Sequence, residues 1–285
     1  MFIHDIDNVA FHIGSFAVRW YGLAYIAGIA GAWVLGRMRA KKSAANNPAS
    51  IWSLDDVDNL IIYAAVGMVL GARFGYILFY DLAYYIKEPA AMLKLWEGGM
   101  SFHGGLVGMT AALCWFARKT GRTLLQVSDF IVPLVPLGLM TGRLANFING
   151  ELWGSITSLP WGVVFKGAGH LPRHPSQLYE AALEGLVLGI ILWAYSSKPR
   201  AAGRVSGLFL IGYGCFRFAV EFVRLPDSQL GYLALGWLTM GQILCLPMLA
   251  VGAWWFFRKP KEPNLAIKNN LRAARKKTGA PGKKR

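Results

Sequence analysis

Residues Trp20–Gly36 read WYGLAYIAGIAGAWVLG, and no charged side chain interrupts them. The stretch Ser228–Phe257 is likewise free of Asp, Glu, Lys and Arg. A helix needs about 20 mostly apolar residues to cross a bilayer. A helix buried in a soluble core would instead be amphipathic, with a polar face every turn. The whole chain of 285 residues is 55% hydrophobic, 16% charged and has a mean hydropathy of +0.38. These values exclude an ordinary soluble globular domain and predict an all-α integral membrane protein.

Working outward, about seven transmembrane helices can be drawn, near 19–38, 59–80, 102–117, 128–142, 177–196, 205–224 and 234–257. They make residues 1–257 a single transmembrane domain. The chain opens with Asp5 and Asp7 and lacks a basic n-region, so the first apolar run is expected to stay in the membrane rather than be cleaved. Basic residues cluster on one side: Arg37, Arg39, Lys41 and Lys42; Arg118, Lys119 and Arg122; Lys198, Arg200 and Arg204. The positive-inside bias then places the N-terminus outside and the C-terminus in the cytoplasm.

The net charge of +15 is concentrated in residues 258–285, where eleven Lys/Arg face one acid, Glu262. That basic cytoplasmic tail reads as disordered and topology-fixing, and its placement argues against a nucleic-acid partner. The three cysteines, Cys114, Cys215 and Cys245, lie in apolar surroundings and form no disulfide framework. His4, His12, His170 and His174 lack ligand spacing, so no metal is expected.

Small residues recur every fourth position, as in Gly67/Gly71/Gly75 and Gly104/Gly108, a pattern that brings helix backbones together in lipid. The span at 128–142 contains Pro133 and Pro136 and, at roughly 20 Å, is shorter than the roughly 30 Å hydrocarbon core. It is expected to be a short broken helix ending in an irregular outer-leaflet loop, Gly142–Gly154. Such backbone is tolerated only against protein or a water-filled cavity.

Ionisable groups inside spans are expensive and point to function. With the orientation fixed, Tyr21, Arg73, His103, Arg143, Asn146, Gln177, Glu180, Glu184, Tyr213, Arg217 and Glu221 fall at one outer level. Tyr213, Arg217 and Glu221 are four apart and share a helix face. Simple ion pairing accounts equally well for Glu184 and Glu221. Arg143 and Arg217 look surplus to pairing, and arginine forks suit phosphate. An arginine-lined cavity in the outer leaflet points to an anionic phospholipid headgroup. His103, beside Gly104 and Gly105 that leave room for a ligand, has the side chain for base work.

These residues also carry a resemblance. Gly142-Arg143-Leu144-Ala145-Asn146-Phe147-Ile148-Asn149-Gly150-Glu151-Leu152-Trp153-Gly154 matches G-R-x-x-N-F-x-N-x-E-x-x-G, the signature loop of the prolipoprotein diacylglyceryl transferase family. His103–Leu106, Arg173–Glu180, Trp20–Gly22, Tyr213–Arg217 and Glu221–Arg224 are similar to further family segments. The outer segment Ser155–Pro172 is shorter than the corresponding arm of some members. The resemblance implies transfer of diacylglyceryl from phosphatidylglycerol to the lipobox cysteine of a preprolipoprotein in the bacterial inner membrane, with no cofactor. It implies His103, Arg143, Arg217 and Tyr21 as catalytic. It implies Arg73, Gly104, Gly105, Arg143, Asn146, Asn149, Glu151, Gly154, Tyr213, Arg217 and Glu221 as substrate-binding. The rival reading is an anionic lipid transporter, against which no inverted repeat is visible. Tyr80-Asp81 matches half of an intramembrane aspartyl-protease pair, but a second aspartate motif is lacking.

Overall fold

The computed structural model describes residues 2–46, 51–94, 98–225 and 231–258, so the basic tail beyond Arg258 lies outside the described residues. Ten helices and four short strands follow in order: β1 (Phe2–His4), β2 (Val9–Ile13), β3 (Phe16–Arg19), α1 (Trp20–Asn46), α2 (Leu54–Tyr80), α3 (Leu82–Lys87), α4 (Phe102–Lys119), α5 (Leu124–Ile131), α6 (Val135–Ile148), β4 (Val163–Phe165), α7 (Ser176–Glu180), α8 (Leu188–Ser196), α9 (Arg204–Glu221) and α10 (Met240–Phe257). A π-helical segment, Ala181–Val187, joins α7 to α8 without a break.

Among the described residues, three helices are long and apolar enough to cross a membrane: Leu54–Tyr80, Ser176–Ser196 and Met240–Phe257. They become four if α5 and α6, bent by 51°, form one broken span. The expected spans near 19–38, 102–117 and 205–224 are helical but do not reach that standard. Glycines and aromatic side chains dilute α1, and Arg204, Arg217 and Glu221 interrupt α9.

The bend between α5 and α6 falls at Val132–Leu134, where Pro133 has no N–H to donate. Pro136 sits in the first turn of α6, where a missing N–H costs nothing. The expectation of a helix ending at 142 needs correction. The helix continues to Ile148, so Arg143 and Asn146 are helical and the irregular stretch begins only at Asn149. Gly142 does not stop it, and the stretch of the helix before it packs on α1. The contacts a Cβ would make pair Gly36 with Leu134, Gly31 with Leu137 and Gly28 with Thr141. Gly150, at φ 65°, is where the chain turns away.

The purely helical expectation is also corrected at the N-terminus. β1 pairs parallel with β4, and β2 pairs antiparallel with β3. β1 thereby ties the first residues to the segment Ser155–Pro172. Buried His4 wedges its ring 5.3 Å from both Phe147 and Phe165, against Gly150.

α2 and α4 cross with backbone on backbone. A Cβ on Gly71 would overlap the carbonyl of Gly104, and one on Gly108 would overlap the carbonyl of Gly67. In lipid, where apolar burial offers little, such close packing supplies the association. The register of α1 on α6, of Gly36 on Val57 and of Gly75 on Gly104 makes each of these pairs antiparallel. It follows that Tyr21, Arg73, His103 and Arg143 all lie toward one end of the bundle. The other end holds the apolar core, where Trp52 stacks on Phe130 at 3.9 Å under the Arg122 guanidinium, which is ion-paired to Asp56. There Asp129 accepts from the backbone N–H groups of Gly203 and Ser206 at 2.6 and 2.8 Å, capping α9.

Candidate active site

The polar end is organised around one carboxylate. Glu180 closes α7 and is 1% exposed. Nε of Arg143, from α6, lies 2.8 Å from its Oε2. Arg217, from α9, pairs with its Oε1, and Arg224, just beyond α9, approaches the same oxygen at 3.4 Å. Arg217 also reaches Glu221 one turn on, at 2.8 Å, and Glu221 accepts from the Thr239 hydroxyl at 3.0 Å. Three helices are thereby cross-linked by charges that burial forces to pair.

This corrects the expectation that Arg143 and Arg217 are surplus to pairing. Arg217 is committed to two carboxylates. Arg143 is half committed: it meets Glu180 through Nε, and among the described residues its two terminal Nη atoms make no hydrogen bond. With its side chain 19% exposed, that end of the fork is available to a ligand.

The signature loop folds back on the same cluster. Asn146, buried on α6, donates to Glu151 Oε1 at 2.8 Å, and Asn149 donates to the same oxygen at 3.4 Å. The backbone carbonyl of Glu151 accepts from buried Gln177 at 2.5 Å, which ties the loop to α7. Gly154 donates its N–H to the His174 carbonyl at 2.9 Å, and a Cβ there would collide with the backbone of Val223 and His174. Its glycine is thus required by backbone contact rather than by a ligand. Tyr213 stands on the face of α9 that carries Arg217, its ring 5.9 Å from Phe209.

Five expected site positions, Arg73, Gly104, Gly105, His103 and Tyr21, lie away from the Glu180 cluster. Arg73 is 5% exposed and spends its guanidinium on backbone carbonyls, those of Met92 at 3.0 Å, Ala91 at 2.6 Å, Gly99 at 3.1 Å, Lys94 at 3.2 Å and also Gly98, with its face 5.1 Å from the Tyr85 ring. It staples the segment after α3 rather than joining the Glu180 cluster. Gly104 and Gly105 face α2, so they make room for a helix and not for a ligand. His103 is exposed in the first turn of α4, its ring 5.7 Å from that of Phe102. Tyr21 is half-buried in the first turn of α1 beside Tyr25. Both lie at the polar end, and among the described residues neither makes a hydrogen bond to Arg143, Arg217 or Arg224.

Residues 8–258 match the family model described as prolipoprotein diacylglyceryl transferase. The chain belongs to the prolipoprotein diacylglyceryl transferase family. The phosphatidylglycerol–prolipoprotein diacylglyceryl transferase of Solidesulfovibrio magneticus is 54% identical over 267 residues, 93% of this chain and 99% of that one. The protein of the same name from Oleidesulfovibrio alaskensis is 58% identical over 246 residues, 86% and 90% of the two chains. That of Legionella pneumophila is 53% identical over 255 residues, 90% and 98%. Within this family frame, sequence reasoning placed Glu180 at the outer level without giving it a role in the site, and left Arg224 out. The signal was present, because Glu180 ends the Arg173–Glu180 segment and Arg224 ends the Glu221–Arg224 segment.

Proposed function

We propose that this chain transfers the sn-1,2-diacylglyceryl group from phosphatidylglycerol to the lipobox cysteine thiol of preprolipoproteins. The C–O bond of the donor breaks, a thioether forms, glycerol phosphate leaves, and the modified precursor enters lipoprotein maturation. The observation that carries this reading is the free fork of Arg143 in a half-buried cluster of three arginines around buried Glu180, at the start of the signature loop. A guanidinium fork matches the paired oxygens of a phosphodiester. Its positive charge stabilises the phosphate oxygen as the bond to carbon breaks.

Arg143 holds the headgroup through its free Nη atoms, and Arg217, fixed by Glu180 and Glu221, adds positive charge beside it. Asn146, Asn149 and Glu151 shape the pocket for its glycerol, and Tyr213 and Glu221 fix Arg217. The thiol must lose its proton to attack carbon. His103, at the same end of the bundle, is the group for that step, with Tyr21 beside the incoming peptide.

The chain crosses the bacterial inner membrane about seven times, with this end of the bundle toward the outer leaflet. The basic side chains support that orientation. Arg37, Arg39, Arg122, Arg200 and Arg258 gather at the far end, whereas β1 and the outer segment pair at the site end.

The test uses purified protein, phosphatidylglycerol labelled in its diacylglyceryl part and a lipobox peptide, read by mass. The expected result is a gain of one diacylglyceryl on the cysteine, abolished in Arg143→Ala. No gain with folded protein overturns the assignment.

A further inference from the structure

At the site end of the bundle, α9 and α10 are joined through a helix cap. Thr239 precedes α10, and its hydroxyl oxygen accepts from the Gln242 N–H at 3.3 Å. The Gln242 side chain in turn accepts from the Thr239 N–H at 3.0 Å. The same residue types cap α5, where Thr123 and Gln126 make the two bonds at 3.3 and 2.8 Å. Their surroundings differ. Thr123 is exposed, whereas Thr239 is buried and Gln242 is buried completely. Capping uses only the lone pairs of the threonine oxygen. Thr239 spends its one hydroxyl hydrogen on Glu221 Oε1, at 3.0 Å.

Glu221 is thus held at both oxygens, with Oε2 lying 2.8 Å from Arg217 Nη2. The first turn of α10 closes on it as well: a Cβ on Gly241 would stand 2.7 Å from Oε1 and 2.8 Å from Cδ. The last torsion of a glutamate is soft, and contacts at opposite oxygens are what fix it. Glu180 holds the other nitrogen of Arg217, Nη1, so the Glu221 contact decides how the guanidinium is turned. We propose that Thr239 is a positioning residue for transfer, and that through Glu221 it fixes the Arg217 guanidinium beside the donor phosphate. The proposal rests on the lipid-transfer reading above. The leaving phosphate passes from one negative charge to two as its bond to carbon breaks, so a fixed cation beside it gains more in the transition state than in the bound lipid. The Arg143 fork grips the headgroup in both states. Loss of the Thr239 hydroxyl should therefore fall on kcat and spare KM.

The experiment measures diacylglyceryl transfer per folded molecule in full-length Thr239→Val, Thr239→Ser and Thr123→Val, with phosphatidylglycerol and a lipobox peptide. Thr239→Val is expected to lose about tenfold or more in kcat, with its KM for phosphatidylglycerol within about threefold of wild type. Thr239→Ser keeps both cap and donor and restores kcat. Thr123→Val loses the same kind of cap, which lowers the unfolding temperature and leaves kcat unchanged. If Thr239→Val does not fold, Gly241→Ala takes its place, since it keeps the cap, pushes Glu221 aside and loses kcat in the same way. Wild-type kcat in the folded variant overturns the proposal, as does a loss that serine does not restore or that falls on KM alone. A second readout needs no turnover. With isotope-labelled arginine, nitrogen NMR should resolve two Nη signals of Arg217, assigned by their absence from Arg217→Lys, and they should merge in the Thr239→Val or Gly241→Ala protein. Merged signals in a protein that transfers no diacylglyceryl even as wild type would remove the lipid reading and leave the link from Thr239 to Arg217 standing. Unchanged signals in the variant would remove the link itself.

Discussion

Arg143 Nε sits 2.8 Å from Glu180 Oε2, across the contact between α6 and α7, and Glu180 is shared at the same time with Arg217 and Arg224. One carboxylate thus sets the position of three guanidinium groups from two sides of the bundle. Glu180→Gln keeps the volume and removes the charge that holds them. Breaking a buried pair in this way costs about 3–5 kcal/mol. We expect a clear drop in thermal unfolding temperature in detergent and at least a tenfold loss of diacylglyceryl transfer. Wild-type turnover in this variant would show that the arginines are positioned by something else.

Arg73 separates a structural from a lipid-binding role. Its guanidinium serves carbonyls from Ala91 to Gly99, and lysine cannot reproduce five donors in a fork. Arg73→Lys is expected to lose about 2 kcal/mol or more of stability, because buried carbonyls are left unpaired. Transfer per folded molecule should stay within threefold of wild type. A tenfold rise in the KM for phosphatidylglycerol, with stability intact, would return Arg73 to the lipid site.

How far the sequence reveals this arrangement depends on the kind of contact. Apolar runs mark α2, the Ser176–Ser196 helix and α10 because transfer from water depends only on composition and length. The signature residues Arg143, Asn146, Asn149 and Glu151 stand together because they are neighbours in the chain. Glu180 as the hub was not legible. Its partners lie on helices whose rotation about their own axes no local pattern specifies, and the i, i+4 pairing of Arg217 with Glu221 was visible where the pairing with Glu180 was not. The role of Arg73 was hidden because its acceptors are backbone carbonyls, which every residue type supplies. The β1–β4 pairing was hidden too, since it joins three residues at the N-terminus to three beyond 160. The extension of α6 past Gly142 reflects packing overriding weak local propensity.

Two glycines that look alike in sequence should respond differently. A Cβ on Gly104 would overlap the Gly71 carbonyl and meet Gly75 Cα at 2.9 Å, and backbone cannot yield as a side chain tip can. Gly104→Val is expected to force α2 and α4 apart and to cost about 1–3 kcal/mol or more. Around Gly142 there is open space and helical backbone, so Gly142→Ala should fold with at least wild-type stability. Comparing the two unfolding curves in one detergent checks this. Equal loss in both variants would contradict the close α2–α4 crossing.

The assignments of His103 and Arg143 are tested best as a pair, because they fail differently. His103 is exposed, and among the described residues its ring contact is with Phe102, so His103→Gln should leave the bundle stable. If His103 takes the thiol proton, the variant loses about 10²-fold or more in turnover near neutral pH, the range general-base catalysis supplies. Activity should recover partly at alkaline pH, where the thiol ionises unaided. Arg143→Lys keeps the charge and loses the planar fork, so its loss should fall mainly on the KM for phosphatidylglycerol and should not recover at high pH. A His103→Gln enzyme with normal turnover at every pH would retire the base. Near-normal KM in Arg143→Lys would reduce that residue to a point charge and move the phosphate-gripping role to Arg217 or Arg224.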